Sequence, residues 1–157
     1  MKIRISVKNQ TLTYSHGDKT LVYPVSTALN GTGETKGSNQ TPLGEHIIRA
    51  KIGGECPSLA VFVGRRWTGE IYSTQLAAQE PNRDWILTRI LWLSGIELGK
   101  NRGGSCDTMR RYIYIHGTSE EDQIGQPVSQ GCIRMRNKDV LSLYDLVTPG
   151  TPVIIVI

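Results

Sequence analysis

The chain has 157 residues, of which 38% are hydrophobic and 20% are charged, and its net charge is +4. This length suits one domain with a single core, and the balanced composition excludes a disordered or fibrous chain. The basic residues are scattered, so the charge predicts no nucleic-acid surface, and no apolar run is long enough to span a membrane.

The amino-terminal part, residues 1 to about 28, predicts an antiparallel β-meander. Apolar side chains alternate with polar ones over Ile3 to Val7, Leu12 to Tyr14 and Leu21 to Val25, and turn residues separate these runs. A loop rich in glycine, asparagine and threonine follows from Asn30 to Gly44. Its polarity and length favour a loop that faces a substrate over a simple connection.

The middle of the chain predicts more strands and one short helix. Ile47 to Ile52 and Leu59 to Val63 are expected to be strands, and Ser73 to Gln79 a helix that ends before Pro81. The stretch from Trp85 to Leu93 fits a buried strand or a helix by periodicity, and its β-branched and aromatic residues favour a strand.

The last third of the chain predicts two strands and the best helix. A strand over Arg111 to His116 is expected to end where Gly117 breaks the pattern. Asn137 is expected to cap a helix, and a final strand is predicted over Val153 to Ile157. The apolar face of that helix consists of Val140, Leu143, Tyr144 and Val147.

The three cysteines, Cys56, Cys106 and Cys132, cannot all pair and form no Cys-x-x-Cys motif. Free thiols are typical of a reducing compartment. The first ten residues alternate charged and apolar side chains and so do not resemble a secretory signal. We therefore expect a cytoplasmic location, with the periplasm or cell wall as the alternative if a signal has been removed.

One histidine and one cysteine form a candidate nucleophile and base. A cysteine attacks carbonyl groups as the thiolate, so a nearby base must take its proton, and His116 could do so for Cys132 across a loop that contains Gly125 and Pro127. A glycine before Cys132 would let backbone N–H groups face an oxyanion. In an extended segment, Arg134 would point the same way as Cys132 and offer a cation to a carboxylate or to the thiolate.

Spacing alone leaves other interpretations open. Cys132 could be a small buried residue and His116 a polar strand end. A metal site could use both with Cys106 or His46, although the spacings match no compact zinc motif. Ser129 lacks the G-x-S-x-G pattern of a serine nucleophile and is expected to line the turn that leads to Cys132.

Four blocks of sequence resemble the L,D-transpeptidase catalytic domain family (YkuD-like). They are TPLG from Thr41, TRILWLSGIE from Thr88, RRYIYIHGT from Arg110 and SQGCIRM from Ser129. The resemblance covers most of the chain from about Asn30 to the end and implies a mainly β fold. That fold would be a β-sandwich or barrel with one or two short helices, and residues 1–157 would form one catalytic domain.

The resemblance also implies a role for each site residue. Cys132 would be the nucleophile and His116 the base, with the Gly117 carbonyl orienting the imidazole. Backbone N–H groups of Gly131 and Cys132 would hold the oxyanion. Contacts with the substrate are expected from Arg134, Ser129 and Gln130, and many members have histidine at the position of Gln130.

The substrate that the resemblance implies is the tetrapeptide stem of peptidoglycan. Family members cut the bond between the third residue, commonly a diamino acid, and the terminal D-alanine, and they need no metal or organic cofactor. Because no signal is visible, we expect an L,D-carboxypeptidase that trims soluble muropeptides. The alternative is an L,D-transpeptidase that forms crosslinks, and a more remote one is a non-catalytic module that binds peptidoglycan fragments. Carbapenem-type inhibitors are expected to react, and neither nucleic acid nor membrane is an expected partner.

Overall fold

The computed structural model describes residues 1–157 as a mainly β protein with two α-helices. Its ten strands are β1 (Lys2–Ser6), β2 (Thr11–His16), β3 (Lys19–Ser26), β4 (Gly44–Ile52), β5 (Ala60–Val63), β6 (Arg66–Ile71), β7 (Ile86–Gly95), β8 (Tyr114–Gly117), β9 (Ile133–Met135) and β10 (Pro152–Val156). The helices are α1 (Thr74–Gln79) and α2 (Asn137–Leu146), and single 3-10 turns lie at Gly104–Cys106 and Glu121–Gln123. The strand-dominated fold confirms the predicted fold class.

Eight of the ten strands close into a barrel. They follow the order β4, β10, β1, β2, β3, β9, β8, β7, and β4 also pairs with β7, so no free edge remains between them. The pairs β1–β10 and β8–β9 are parallel, and all other pairs are antiparallel. The remaining strands, β5 and β6, form a hairpin that pairs with the start of β7 through β5.

The interior of the barrel is a cluster of 18 buried apolar residues. Alternate residues of the strands point inward, as Ile3 and Ile5 of β1 do, and α2 adds Val140 and Leu143. A smaller apolar cluster of Ala60, Phe62, Ile90 and Tyr114 lies on the outer side, under the β5–β6 hairpin. Cys132 packs against this second cluster.

Most of the predicted elements are present. The meander is β1 to β3, and the strands expected over 47–52, 59–63, 85–93 and 153–157 correspond to β4, β5, β7 and β10. The helix α1 begins after Ser73, whose side chain accepts the Leu76 N–H at 3.0 Å. Neither helix has the length and apolar character needed to cross a membrane.

Two boundaries were predicted wrongly. The strand expected from Arg111 begins at Tyr114, because Tyr112 has a left-handed backbone (φ 57°) that no strand can contain. Asn137 is the first residue of α2 and does not cap it. Its backbone N–H donates to the Glu121 carboxylate at 2.9 Å, and its side chain bonds to Thr88 and Thr118.

Candidate active site

The parallel pairing of β8 with β9 brings the predicted base, His116, and the predicted nucleophile, Cys132, to one face of the sheet. His116 lies opposite Arg134 in the register, and Cys132 immediately precedes β9, level with Tyr114. Side chains that are level in neighbouring strands point the same way, so these four share the outer face. The intervening residues Ile113, Ile115, Ile133 and Met135 point into the main core.

This face forms the wall of an open recess of about 390 Å³. All the predicted side chains of the site line it, namely His116, Ser129, Gln130, Cys132 and Arg134. Two further recesses adjoin it, one of about 170 Å³ that shares Asp84, Gln130 and Arg134 and one of about 250 Å³ that shares Tyr112 and Gln130. Gln130 therefore lies where the three recesses meet.

The imidazole of His116 is buried and held by a backbone carbonyl. Its Nδ1 lies 2.5 Å from the Gly117 carbonyl oxygen, the contact expected from the resemblance. Burial lowers the pKa of His116, so the ring is neutral near pH 7. A carbonyl can only accept, so Nδ1 carries the proton and Nε2 keeps a free lone pair.

Gly117 is required at this position by its neighbours. A Cβ there would collide with the Asn137 side chain and with the Leu87 carbonyl. The close approach of Leu87 reflects an irregularity in the pairing of β7 with β8 between Leu87 and Ile90.

The Cys132 thiol is held by the backbone of β8 and of the residues before it. The Tyr114 N–H donates to Sγ at 3.3 Å, and Sγ–H donates to the Tyr112 carbonyl at 3.4 Å. Burial raises the pKa of the thiol to about 11, and the charge of Asp84 adds to this, while Arg134 and Arg111 oppose it. The resting thiol is therefore protonated at neutral pH.

The turn from Ser129 to Cys132 is fixed from both sides. Ser129 Oγ donates to the Cys132 carbonyl at 2.5 Å and accepts the Gly131 N–H at 3.2 Å. Thr41, from the TPLG block, donates its hydroxyl to the Gly131 carbonyl at 2.9 Å. Gly131 has φ 124°, a conformation that side chains rarely adopt, and a Cβ there would press on the Gln40 carbonyl at 3.3 Å.

The two predicted oxyanion donors differ in their hydrogen bonds in the resting site. The Gly131 N–H already has a partner in Ser129 Oγ, because the turn folds back on itself. The Cys132 N–H makes no hydrogen bond and is the free donor beside the thiol. Only one of the two expected groups is thus available in the resting site.

Arg134 points toward the recess as predicted, but its charge is already paired. Its guanidinium lies 2.8 Å from a Glu120 carboxylate oxygen and 3.9 Å from an Asp84 carboxylate oxygen, and only 12% of its side chain is exposed. The guanidinium is therefore already engaged by carboxylates of the protein, and its contact with a substrate carboxylate or with the thiolate stays a prediction.

Three residues of the site were missed by sequence reasoning. Thr41 fixes the Gly131 carbonyl, and Arg111 donates to the carbonyls of Gly33 at 3.1 Å and Gln40 at 2.6 Å, which ties the 30–44 loop to the site. Arg65 lines the main recess from the tip of the β5–β6 hairpin. The TPLG and RRYIYIH blocks contained signals for the first two, whereas nothing in the sequence distinguished Arg65 from other surface bases.

The residues considered as metal ligands are not gathered together. Cys106 and His46 do not line the main recess. His46 is buried and bonds to the Gly44 carbonyl and the Thr108 hydroxyl. No group of three His, Cys, Asp or Glu side chains in the chain could hold a metal ion.

A thiol and an oriented imidazole in one open recess of a β-barrel are the side chains that nucleophilic catalysis by cysteine requires. Comparison with known families makes the assignment specific. The family described as the L,D-transpeptidase catalytic domain (YkuD) matches residues 1–155. The chain therefore belongs to this family of enzymes.

Relatives by sequence match a short part of the chain. The chain is 50% identical over 46 residues to YkuD of Bacillus subtilis (strain 168), which covers 29% of this chain and 28% of that protein. It is 52% identical over 46 residues to ErfK/SrfK of Escherichia coli (strain K12), covering 29% of this chain and 15% of that one. Both carry provisional L,D-transpeptidase names.

Solved structures share the fold. L,D-transpeptidase 3 of Mycobacterium tuberculosis is 17% identical with a TM-score of 0.59, and 99% of this chain matches 60% of that one. A second structure of L,D-transpeptidase 3 contains a faropenem-derived adduct (18% identity, TM-score 0.57, 98% of this chain and 58% of that one). The chain thus spans less than two thirds of the length of these relatives.

Proposed function

We propose that this chain is a cysteine acyl-transfer enzyme that cuts the tetrapeptide stem of peptidoglycan before its terminal D-alanine. Cys132 is the nucleophile and His116 the base. The observation that carries the proposal is the parallel register of β8 and β9, which puts both side chains on one face and in one recess.

The chemistry requires two proton transfers and one acyl transfer. Cys132 Sγ attacks the carbonyl carbon of the third stem residue as its proton passes to His116 Nε2. The tetrahedral oxyanion accepts a hydrogen bond from the free Cys132 N–H. The carbon–nitrogen bond to D-alanine then breaks, and the imidazolium returns its proton to the departing amine, which leaves a thioester on Cys132.

The neutral resting pair suits this sequence of steps. Burial disfavours both the thiolate and the imidazolium, so the thiol is not consumed by side reactions before a substrate is bound. The Gly117 carbonyl keeps Nε2 unprotonated and ready to accept. Charge therefore develops on Cys132 and His116 only during the reaction, when the thiol proton passes to the imidazole as Sγ attacks the substrate carbonyl.

The acceptor of the acyl group decides between two activities. An amine of a second stem gives a crosslink, and water gives L,D-carboxypeptidase activity, the outcome that the sequence analysis favoured. Two further recesses adjoin the main one and meet it at Gln130, so they offer room for a second stem. This room supports an amine as the acceptor. The transpeptidase names of the relatives support it too. We therefore propose transpeptidation as the main activity, with hydrolysis as the alternative.

Inhibition by β-lactams of the carbapenem type follows from the same thioester chemistry. Structures of relatives contain imipenem and a faropenem-derived adduct. For this chain we propose that such a compound acylates Cys132.

The test is incubation with a disaccharide-tetrapeptide followed by mass spectrometry. The expected result is an acyl adduct on the peptide that contains Cys132, with release of D-alanine. Cys132→Ala should abolish both, while the matched controls Cys56→Ala and Cys106→Ala should keep both. Crosslinked dimers would identify an amine acceptor, and tripeptide without dimers would identify water. An adduct that persists in Cys132→Ala would rule out Cys132 as the nucleophile.

A further inference from the structure

Arg65 is the cation in the catalytic recess that has no acidic partner. Arg65 and Arg134 both line the recess, but Arg134 is paired with Glu120 and lies near Asp84. No carboxylate lies within salt-bridge distance of Arg65. An unpaired guanidinium in the recess that also contains the Cys132 thiol can bind an anionic group.

The backbone under Arg65 is held in a strained conformation. Gly64 and Arg65 form the two-residue connection of the β5–β6 hairpin, and both have positive φ values, 56° and 63°. Such turns favour glycine or asparagine at these positions. A left-handed backbone is unfavourable for arginine, and strain of this kind concentrates at functional sites.

The side chain of Arg65 is also fixed in advance. Its guanidinium carbon lies 4.6 Å from the ring centre of Tyr112 and 5.0 Å from that of Trp92, and one N–H group donates to the Tyr114 hydroxyl at 3.1 Å. A guanidinium has five N–H donors, so four remain free for a ligand. Because the group is already ordered, binding an anion costs little side-chain entropy.

The contacts of Arg65 connect it to the thiol. Tyr112 and Tyr114, which hold the guanidinium through their side chains, also hold Cys132 Sγ through their backbone carbonyl and N–H groups. An anion bound at Arg65 would therefore belong to the molecule whose carbonyl Cys132 attacks.

We propose that Arg65 binds a carboxylate of the donor stem and sets the specificity of the site for stems that carry one there. This inference rests on the proposed function. The carboxylate has two sources, the terminal D-alanine and the side chain of a third residue that carries its own carboxyl group. Arg65 thus takes the role that the sequence analysis gave to Arg134.

The experiment compares four synthetic tetrapeptide donors in steady-state release of the terminal residue. The terminal group is a carboxylate or a carboxamide, and the third residue is a diamino acid with or without a side-chain carboxylate. The wild type should prefer the donors that carry the recognised carboxylate by about tenfold or more, as expected for a charged hydrogen bond. The donor pair that shows this preference identifies which carboxylate is bound.

The variant is Arg65→Gln, and its matched control is Arg66→Gln, an exposed neighbour that does not line the recess. Arg65→Gln should raise KM about tenfold or more for the preferred donor, leave kcat within about twofold and remove the preference. Arg66→Gln should change none of these. Arg65→Gly guards against misfolding, because glycine relieves the strained turn and should keep or raise the Tm while losing the preference.

The outcomes separate the two proposals. Release of D-alanine by Arg65→Gln with an unchanged preference would overturn the role of Arg65 and leave the proposed function standing. A wild type that releases nothing from any donor, and whose Cys132→Ala variant binds none of them by calorimetry, would overturn both.

Discussion

His116 and Cys132 are both neutral in the resting site, because burial disfavours the charged form of each. Their environments nevertheless differ in what they fix. The imidazole is oriented by one carbonyl acceptor at Gly117, whereas the thiol lies between a donor on Tyr114 and an acceptor on Tyr112. Nε2 of His116 has no hydrogen-bond partner and is free to accept a proton, whereas the resting Sγ–H donates to the Tyr112 carbonyl.

Removal of the imidazole tests this directly. His116→Ala should lower kcat/KM for D-alanine release by roughly two to four orders of magnitude, the usual contribution of general acid and base catalysis. His16→Gln is the control, because His16 lies exposed at the end of β2. Single-turnover acylation, followed by mass spectrometry, measures the step itself. A loss of less than tenfold would mean that another group accepts the thiol proton.

Among the structural elements, the turn before β9 depends on a partner that is distant in sequence. Thr41 is fully buried; its hydroxyl donates to the Gly131 carbonyl at 2.9 Å and accepts the Ala28 N–H at 3.0 Å. One side chain thus joins the strand end after β3, the 30–44 loop and the turn that carries the thiol.

Thr41→Val keeps the shape of the side chain and removes both hydrogen bonds. We expect the free energy of unfolding to fall by about 1 to 3 kcal/mol, because a buried donor and a buried acceptor lose their partners. Acylation should slow as well, since the Gly131 carbonyl is no longer fixed beside Cys132. Thr20→Val is the control, because Thr20 is exposed on β3. Urea unfolding and single-turnover acylation measure the two effects, and equal values for Thr41→Val and Thr20→Val would contradict the role of Thr41.

The strands that sequence reasoning found differ from those it missed in their burial pattern or in their length. β1 and β2 alternate buried side chains with exposed or half-buried ones, and this alternation is visible in the sequence. β6 is exposed along almost its whole length, so it has no apolar period to detect. β9 has three residues, too few to establish a period. The sequence therefore did not predict the hairpin whose tip carries Arg65, or the presence of this unpaired cation in the recess.

The site itself was predictable where its chemistry is local. His116, Gly117, Gly131 and Cys132 stand in two short motifs, and the loop between them closes as expected. Pairing of charges is not local, however. Glu120 neutralises Arg134 because the 3-10 turn after β8 folds back over β9, and no sequence spacing indicates this.

At the level of the whole molecule, the barrel closes where the two ends of the chain meet. β10 lies between β1 and β4, and β4 in turn lies between β10 and β7. His46 is at this seam, since it pairs with Val153 on one side and Gly95 on the other. Its ring is buried and bonds to the Gly44 carbonyl and the Thr108 hydroxyl, so a charge on it would act on the strands that complete the barrel.

The stability of the barrel should therefore depend on pH through His46. Burial lowers the pKa of His46 from 6.5 to about 4. Between these values the unfolded chain binds a proton that the folded chain does not, so the free energy of unfolding should fall as the pH drops from 6.5 to 4. The loss from this one group approaches about 3 kcal/mol at pH 4. The free energy of unfolding, measured with urea at a series of pH values, should fall less steeply with pH for His46→Gln than for the wild type. The remaining dependence comes from His116, whose pKa is lowered by burial, and from Glu70 and Glu97, whose pKa values are lowered by hydrogen bonds from Arg83 and from the Glu45 N–H. His16→Gln, a substitution at an exposed position, is the control for the loss of one histidine. If the free energy of unfolding depended on pH equally in His46→Gln and in the wild type, the buried imidazole of His46 would not resist protonation.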